Sequence, residues 1–143
     1  MSFYAEAGRI EITDSLENIK YTTNDRLLQI HSTYNSAYTV PAITGASSYT
    51  PFDISYTITN AFSYSANFII GYAIFNSLKY AVNGAILLGT GFMYPGIPVF
   101  SDTVAFYPSG RNLVLHRKGF TGFNANIPQQ TLTFLIYAGN YDL

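Results

Sequence analysis

Two histidines, five aspartates, three glutamates and ordinary serines and threonines are the side chains from which any catalysis would have to be built, because the chain contains no cysteine. That absence removes disulfides, thiolate nucleophiles and Cys-containing zinc sites, and leaves the redox compartment open. His31 and His116 fall in different predicted strands, with no HxH or HxxxH spacing to aim two imidazoles at one metal. His116 precedes Arg117 and Lys118, whose charges disfavour a protonated ring. Gly89-Thr90-Gly91 looks like the start of a phosphate-binding turn, but Tyr94 stands where the third glycine belongs and no helical pattern follows. Asp25-Arg26 and Asp102 read as turn residues and rim charges, and no two carboxylates show the contrasting surroundings of an acid and a base. The expectation is a protein without catalysis, metal or cofactor.

Charge is scarce. Only 10% of the 143 residues are charged, against roughly 25% in an average soluble protein, and Tyr, Thr, Ser and Asn stand in their place. These side chains hydrogen-bond well and are cheaper than Lys or Glu to desolvate under another protein, so the composition favours surfaces made for contact. A net charge of -1 with scattered basic residues gives no electrostatic attraction to phosphate and argues against nucleic acid as a direct partner. The most apolar window, residues 61–93, is broken by Asn67, Asn76, Lys79 and Asn83, which argues against membrane insertion. Residues 1–8 carry Glu6 and no basic or apolar leader pattern, so synthesis in the cytoplasm is expected.

The elements holding these residues are strands. Thirteen Tyr and eleven Phe suit a pleated, half-buried surface, and period-2 alternation recurs along the chain. Residues 27–34 place Leu28, Ile30, Ser32 and Tyr34 on one face. Asn35-Ser36 reads as a two-residue break, making a hairpin with the extended stretch 37–40 that Pro41 ends. Residues 42–51 form a Gly/Ser/Thr-rich loop with Tyr49 as its large side chain. The densest apolar material lies in 52–80: Ile54, Tyr56 and Ile58 alternate with Ser55, Thr57 and Thr59, and the nearly continuous run 66–75 reads as a strand covered on both faces. Ile70 is therefore expected inside, where an aspartate would unfold the protein. Asn83-Gly84 predicts a type I′ hairpin tip. Residues 89–98, with three Gly and two Pro around Phe92, Met93, Tyr94 and Ile97, read as an irregular loop presenting apolar side chains. Asp102, Val104 and Phe106 alternate with Thr103, Ala105 and Tyr107; Pro108-Ser109-Gly110 turns that strand into the next; Leu132, Phe134 and Ile136 mark a closing strand.

Nine or ten short strands without helical periodicity predict one antiparallel β-sandwich or jelly roll over residues 1–143, with 1–8 either a frayed terminus or an N-terminal arm that orders against a neighbour. The opening Gly8-Arg9-Ile10-Glu11-Ile12, the turn and strand from Thr23 and Asn24 through Asp25, Arg26, Leu27, Leu28, Gln29 and Ile30, and the polar β pattern after it resemble small β-rich structural proteins of tailed-bacteriophage virions, namely tail, collar or capsid-decoration subunits. That resemblance implies a virion protein that forms a homo-oligomer and binds other virion proteins in a symmetric assembly. The residues expected to make those contacts are Phe3 and Tyr4 in the arm, Tyr49, and Phe92, Met93, Tyr94 and Ile97. Changing Tyr94 to alanine is expected to weaken assembly. The alternative is a carbohydrate-binding or adhesin module that stacks a host surface glycan on Tyr34, Tyr38, Tyr49, Tyr56 and Tyr64.

Overall fold

The computed structural model describes residues 2–6, 9–13, 19–22, 28–93 and 96–141, which fall into two compact units. The smaller contains a three-stranded sheet ordered β1-β2-β3, formed by β1 (Ser2–Glu6), β2 (Arg9–Thr13) and β3 (Ile19–Thr22). Within the stretch expected to be an arm, residues 2–6 pair antiparallel with β2, from Ser2 opposite Thr13 to Glu6 opposite Arg9.

The larger unit spans residues 30–140 and holds all but the outermost residues of β4 (Leu28–Val40) and β11 (Gln130–Tyr141), together with β5 (Thr50–Ile58), β6 (Phe68–Phe75), β7 (Leu78–Ala81), β8 (Ile86–Met93), β9 (Ile97–Ser109) and β10 (Asn112–Thr121). Two antiparallel four-stranded sheets result, ordered β4-β11-β6-β7 and β5-β10-β9-β8. The all-β class is as the composition predicts, with eleven strands among the described residues against the nine or ten expected.

Alternation supplies the core. Leu132, Phe134, Ile136 and Ala138 of β11 meet Val104 and Phe106 of β9 and Leu113 and Leu115 of β10 in one apolar cluster. The Phe134 ring stands edge-on to Phe106, centroids 5.3 Å apart, so the two sheets share this core in a sandwich-like arrangement. Tyr34, Tyr38, Tyr56 and Ile58 seal one margin of it, half-buried.

Four expectations are corrected. There is no break at Asn35-Ser36: β4 runs on to Val40, because small polar residues can stay extended at exposed positions. Asn83-Gly84 is not a hairpin tip, since it carries the chain from β7 in one sheet to β8 in the other. A tight two-residue turn lies instead at Asn76-Ser77, both at positive φ (49° and 64°), joining Phe75 to its partner Leu78. Among the described residues of 89–98 the structure is largely regular: β8 continues to Met93 and pairs with β9 from Ile97. Glycine makes this possible, because a Cβ on Gly91 would lie 2.3 Å from the Phe100 ring.

The run 66–75 is not covered on both faces. Gly71 takes φ +121°, with the Leu135 carbonyl where a Cβ would stand, yet the register with β11 runs unbroken from Phe68 to Ile74, so alternation continues through it. Phe68, Ile69, Ala73 and Phe75 are buried while Ile70 is 40% exposed. An aspartate at Ile70 would therefore meet water and leave the core intact.

Candidate contact surfaces and polar clusters

The expected contact residues are dispersed. Phe3 and Tyr4 lie in β1, paired with Ile12 and Glu11 of β2. Tyr94 lies outside the described residues. Phe92, Met93 and Ile97 do come together at the end of the β8–β9 hairpin, where Met93 opposes Ile97 and Phe92 opposes Pro98. All three are exposed, Phe92 by 66%. Tyr49 is elsewhere, 68% exposed with its ring 5.0 Å from that of Phe120. No tyrosine platform forms: Tyr34, Tyr38 and Tyr56 pack against the core, whereas Tyr64 stands edge-on to His31 at 5.5 Å. The Tyr38 hydroxyl titrates above the ordinary phenol range, chiefly through partial burial and then through Tyr56 and Tyr34.

Each histidine has a definable role. His31 Nδ1 lies 2.7 Å from Ser32 Oγ, and its Nε2 lies 3.1 Å from the Ser65 carbonyl and 3.3 Å from Asn140 Nδ2. Ser32 is buried, and its Oγ also accepts the Ser63 N–H. The arrangement pins the loop after β5 to β4 and presents no attacking oxygen to solvent.

His116 meets a carboxylate that sequence reasoning missed. Its Nε2 bonds Asp53, and Lys118 Nζ stands 3.7 Å from the same carboxylate. The strands put them there: His116 opposes Ser55 and Lys118 opposes Asp53, all on the outward face of β5 and β10. The site is open sheet, and no cavity opens among the described residues. His116, with a smaller contribution from Lys118, holds the Asp53 carboxyl below its ordinary range. A depressed carboxyl stabilises the fold above its unfolded value, 3.8, and that contribution is lost as pH falls through the lower folded value. Because Asp53 is exposed and screened, Asp53→Asn is expected to leave the urea midpoint at neutral pH nearly unchanged and to remove only a small part of the stability lost on acidification, read from urea melts at pH 7 and pH 3.

Asp102 is no rim charge. It is fully buried in a two-pronged ion pair with Arg117, whose Nε and Nη2 donate to Oδ1 and Oδ2 at 2.8 and 2.7 Å. Arg117 also donates to the Pro41 carbonyl beyond β4 and reaches the Tyr56 hydroxyl at 3.4 Å. Burial alone would depress the guanidinium, but hydrogen bonding to Asp102 and Tyr56 outweighs it and raises the Arg117 pKa. The alternation that places Asp102 on the same face as buried Val104 and Phe106 is the signal that could have located it.

No family model, curated protein or solved structure matches the chain. Its function is therefore argued from these surfaces. Two of the charged clusters are saturated by their own partners: Asp102–Arg117 is sealed inside, and Asp53–His116–Lys118 neutralises itself on a flat face. Among the described residues the exposed large side chains are otherwise apolar and aromatic; those at the end of the β8–β9 hairpin and around Tyr49 lie among others such as Ile30, Leu78 and Leu87.

Proposed function

We propose that this chain is a structural subunit of a tailed-phage virion, a tail, collar or capsid-decoration protein that works through protein contacts in a symmetric assembly and carries out no catalysis. The observation that carries the reading is the end of the β8–β9 hairpin, where Phe92, Met93 and Ile97 hold apolar surface out in water on a rigid two-stranded support. Aromatic side chains and Met are the types enriched at protein interfaces, and the shortage of charge across the chain lowers the desolvation cost of covering it. The two-layer reading of the larger unit as a sandwich, with the hairpins β6–β7, β8–β9 and β9–β10 each kept within one sheet, suits a subunit whose loops and edges are held stiffly for contact.

Sedimentation and native mass measurement of the full chain test this. The expected result is a discrete oligomer that joins particles, and Phe92→Ser combined with Ile97→Ser should lower its association constant by at least about tenfold, as loss of a buried aromatic anchor does, with the melting temperature little changed. A chain that is strictly monomeric and does not join particles would overturn the reading.

Tyr49 supports a second reading, a glycan-binding module. Its exposed ring backed by Phe120 offers one stacking face for the C–H patch of a sugar, with exposed Phe123 following Gly122 close by. Saturable glycan binding that disappears in Tyr49→Ala would favour it, and silence across a broad glycan array would remove it.

A further inference from the structure

Open sheet edges invite strand addition, and proteins blunt them with short strands, charge, proline or bulges. Three of the four edges in the larger unit carry such devices among the described residues. β7 is four residues long and contains Lys79, which lies over the Tyr72 ring. β8 is shifted in register between Leu87 and Gly89 and again between Gly91 and Phe92. β5 begins with Pro51 at its second position and carries Asp53. β4 differs. It ends its sheet, with β11 as its neighbour on one side only, and residues 33–40 hold no proline, no glycine and no charged side chain.

The sequence along that edge is nearly a palindrome: Thr33, Tyr34, Asn35, Ser36, Ala37, Tyr38, Thr39. Symmetry of this kind has a direct physical reading, because two copies of one strand paired antiparallel about a two-fold axis place residue i opposite the residue equally far beyond the axis. With the axis at Ser36, Thr33 faces Thr39 of the second copy, Tyr34 faces its Tyr38, Asn35 faces its Ala37, and the two Ser36 side chains meet. Every pair keeps to one face of the sheet. Thr33, Asn35, Ala37 and Thr39 are exposed on the outward side, and Tyr34 and Tyr38 are half-buried on the core side. Threonine–threonine and aromatic–aromatic pairs are among the favourable cross-strand combinations, and no like charges meet. Moving the register by one residue would set half-buried tyrosines against outward threonines, and moving it by two keeps the faces but loses both the Tyr34–Tyr38 and the Thr33–Thr39 pairs, so the pattern favours the alignment centred on Ser36.

We propose that the β4 edge is a self-association site, at which a second copy of this chain adds its own β4 antiparallel about a two-fold axis at Ser36. The two four-stranded sheets then become one of eight, ordered β7-β6-β11-β4 and onward through β4-β11-β6-β7 of the second copy. The proposal rests on the reading of the chain as an assembly subunit and supplies one partner for it, using a surface distinct from the β8–β9 end.

The natural absence of cysteine makes the register measurable. In the full chain, Ser36→Cys is expected to form a disulfide-linked dimer under mild oxidation, because residues directly opposite on antiparallel strands come within disulfide reach. Thr33→Cys alone should cross-link at least about tenfold less, since two such residues lie six positions out of register. Thr33→Cys mixed with Thr39→Cys should restore the linkage. Ser36→Lys, which sets two ammonium groups together on the axis at an exposed position, should raise the dimer dissociation constant by at least about tenfold in sedimentation, with the circular dichroism unchanged. Cross-linking of Ser36→Cys no better than that of Thr33→Cys, or undiminished association of a folded Ser36→Lys chain, would overturn the proposal. If that happens while the Phe92 and Ile97 substitutions still disperse the assembly, the subunit reading stands and the β4 dimer falls. A chain monomeric at every concentration overturns both. Should Ser36→Lys block joining to particles yet leave self-association intact, the edge takes a foreign strand and the second copy is the wrong occupant.

Discussion

Arg117→Met is expected to lower the stability of the larger unit by about 3–5 kcal/mol, the range found when one partner of a buried ion pair is removed. The size follows from what is left behind. Asp102 has no solvent exposure, and its two oxygens would lose both guanidinium donors in a site that methionine cannot rehydrate. Methionine keeps much of the side-chain volume, so the loss isolates the charge and hydrogen bonds rather than a cavity. The Pro41 carbonyl and the Tyr56 hydroxyl lose a donor too, which loosens the end of β4 from the opposite sheet. In a urea melt the midpoint should fall by roughly 2 M for a slope of about 2 kcal/mol per M. Arg117→Met combined with Asp102→Leu should recover most of that loss, because the stranded carboxylate is gone. A single variant as stable as the parent would show that water reaches the pair and that it does not tie the sheets together.

Phe134→Ala should be as damaging for an apolar reason, costing about 3–5 kcal/mol. Phe134 is 1% exposed, stands edge-on to Phe106 of the facing sheet and lies 6.0 Å from the Tyr34 ring. Truncation removes the transfer energy of the ring and leaves a cavity between two hydrogen-bonded sheets whose backbones have little freedom to close it. The midpoint in urea should fall without a change of slope, the mark of a two-state domain made less stable but unfolding over the same surface. Phe134→Leu, which refills part of the volume, should lose markedly less. Equal losses for alanine and leucine would mean that the ring contact with Phe106, and not the cavity, dominates.

Much of the strand pattern was legible because alternation is a local property. Ile54, Tyr56 and Ile58, and Leu132, Phe134 and Ile136, lie on the inner faces that their spacing predicts. The exposed character of Tyr49, Phe92 and Ile97 also follows from the Gly- and Ser-rich stretches around them. Other features were misread for identifiable reasons. Asn35-Ser36 carries turn propensity, yet a strand edge facing solvent accepts polar residues as readily as a turn does, so composition alone could not separate the two. At Ile70 the apolar run masked an ordinary period-2 pattern: Ile69, Ala73 and Phe75 face the core and Ile70 between them faces out, a distinction that apolar composition alone does not make.

The ion pairs mark the boundary most clearly. Period-2 alternation already set Asp102 among inward residues, and Arg117 follows Leu113 and Leu115 on the same face of its strand. The turn at Pro108-Ser109-Gly110 already predicts β9 and β10 as neighbours; it is their register, with Arg117 opposite Val104 and so beside Asp102, that brings a carboxylate to a guanidinium and makes burial of both tolerable. His116 and Asp53 are further apart still, joined by β5 lying beside β10.

By itself, then, the sequence determined an all-β chain, poor in charge, with aromatic residues in excess of what a core needs and no constellation of reacting groups. Tertiary structure decided which polar residues are sealed in pairs, which apolar ones are left in water and which edge is left undefended. The division has one physical cause. Side-chain alternation is dictated by the backbone of each strand alone, whereas partners and exposure depend on which strands lie side by side, and the sheet ladders that decide this join residues tens of positions apart.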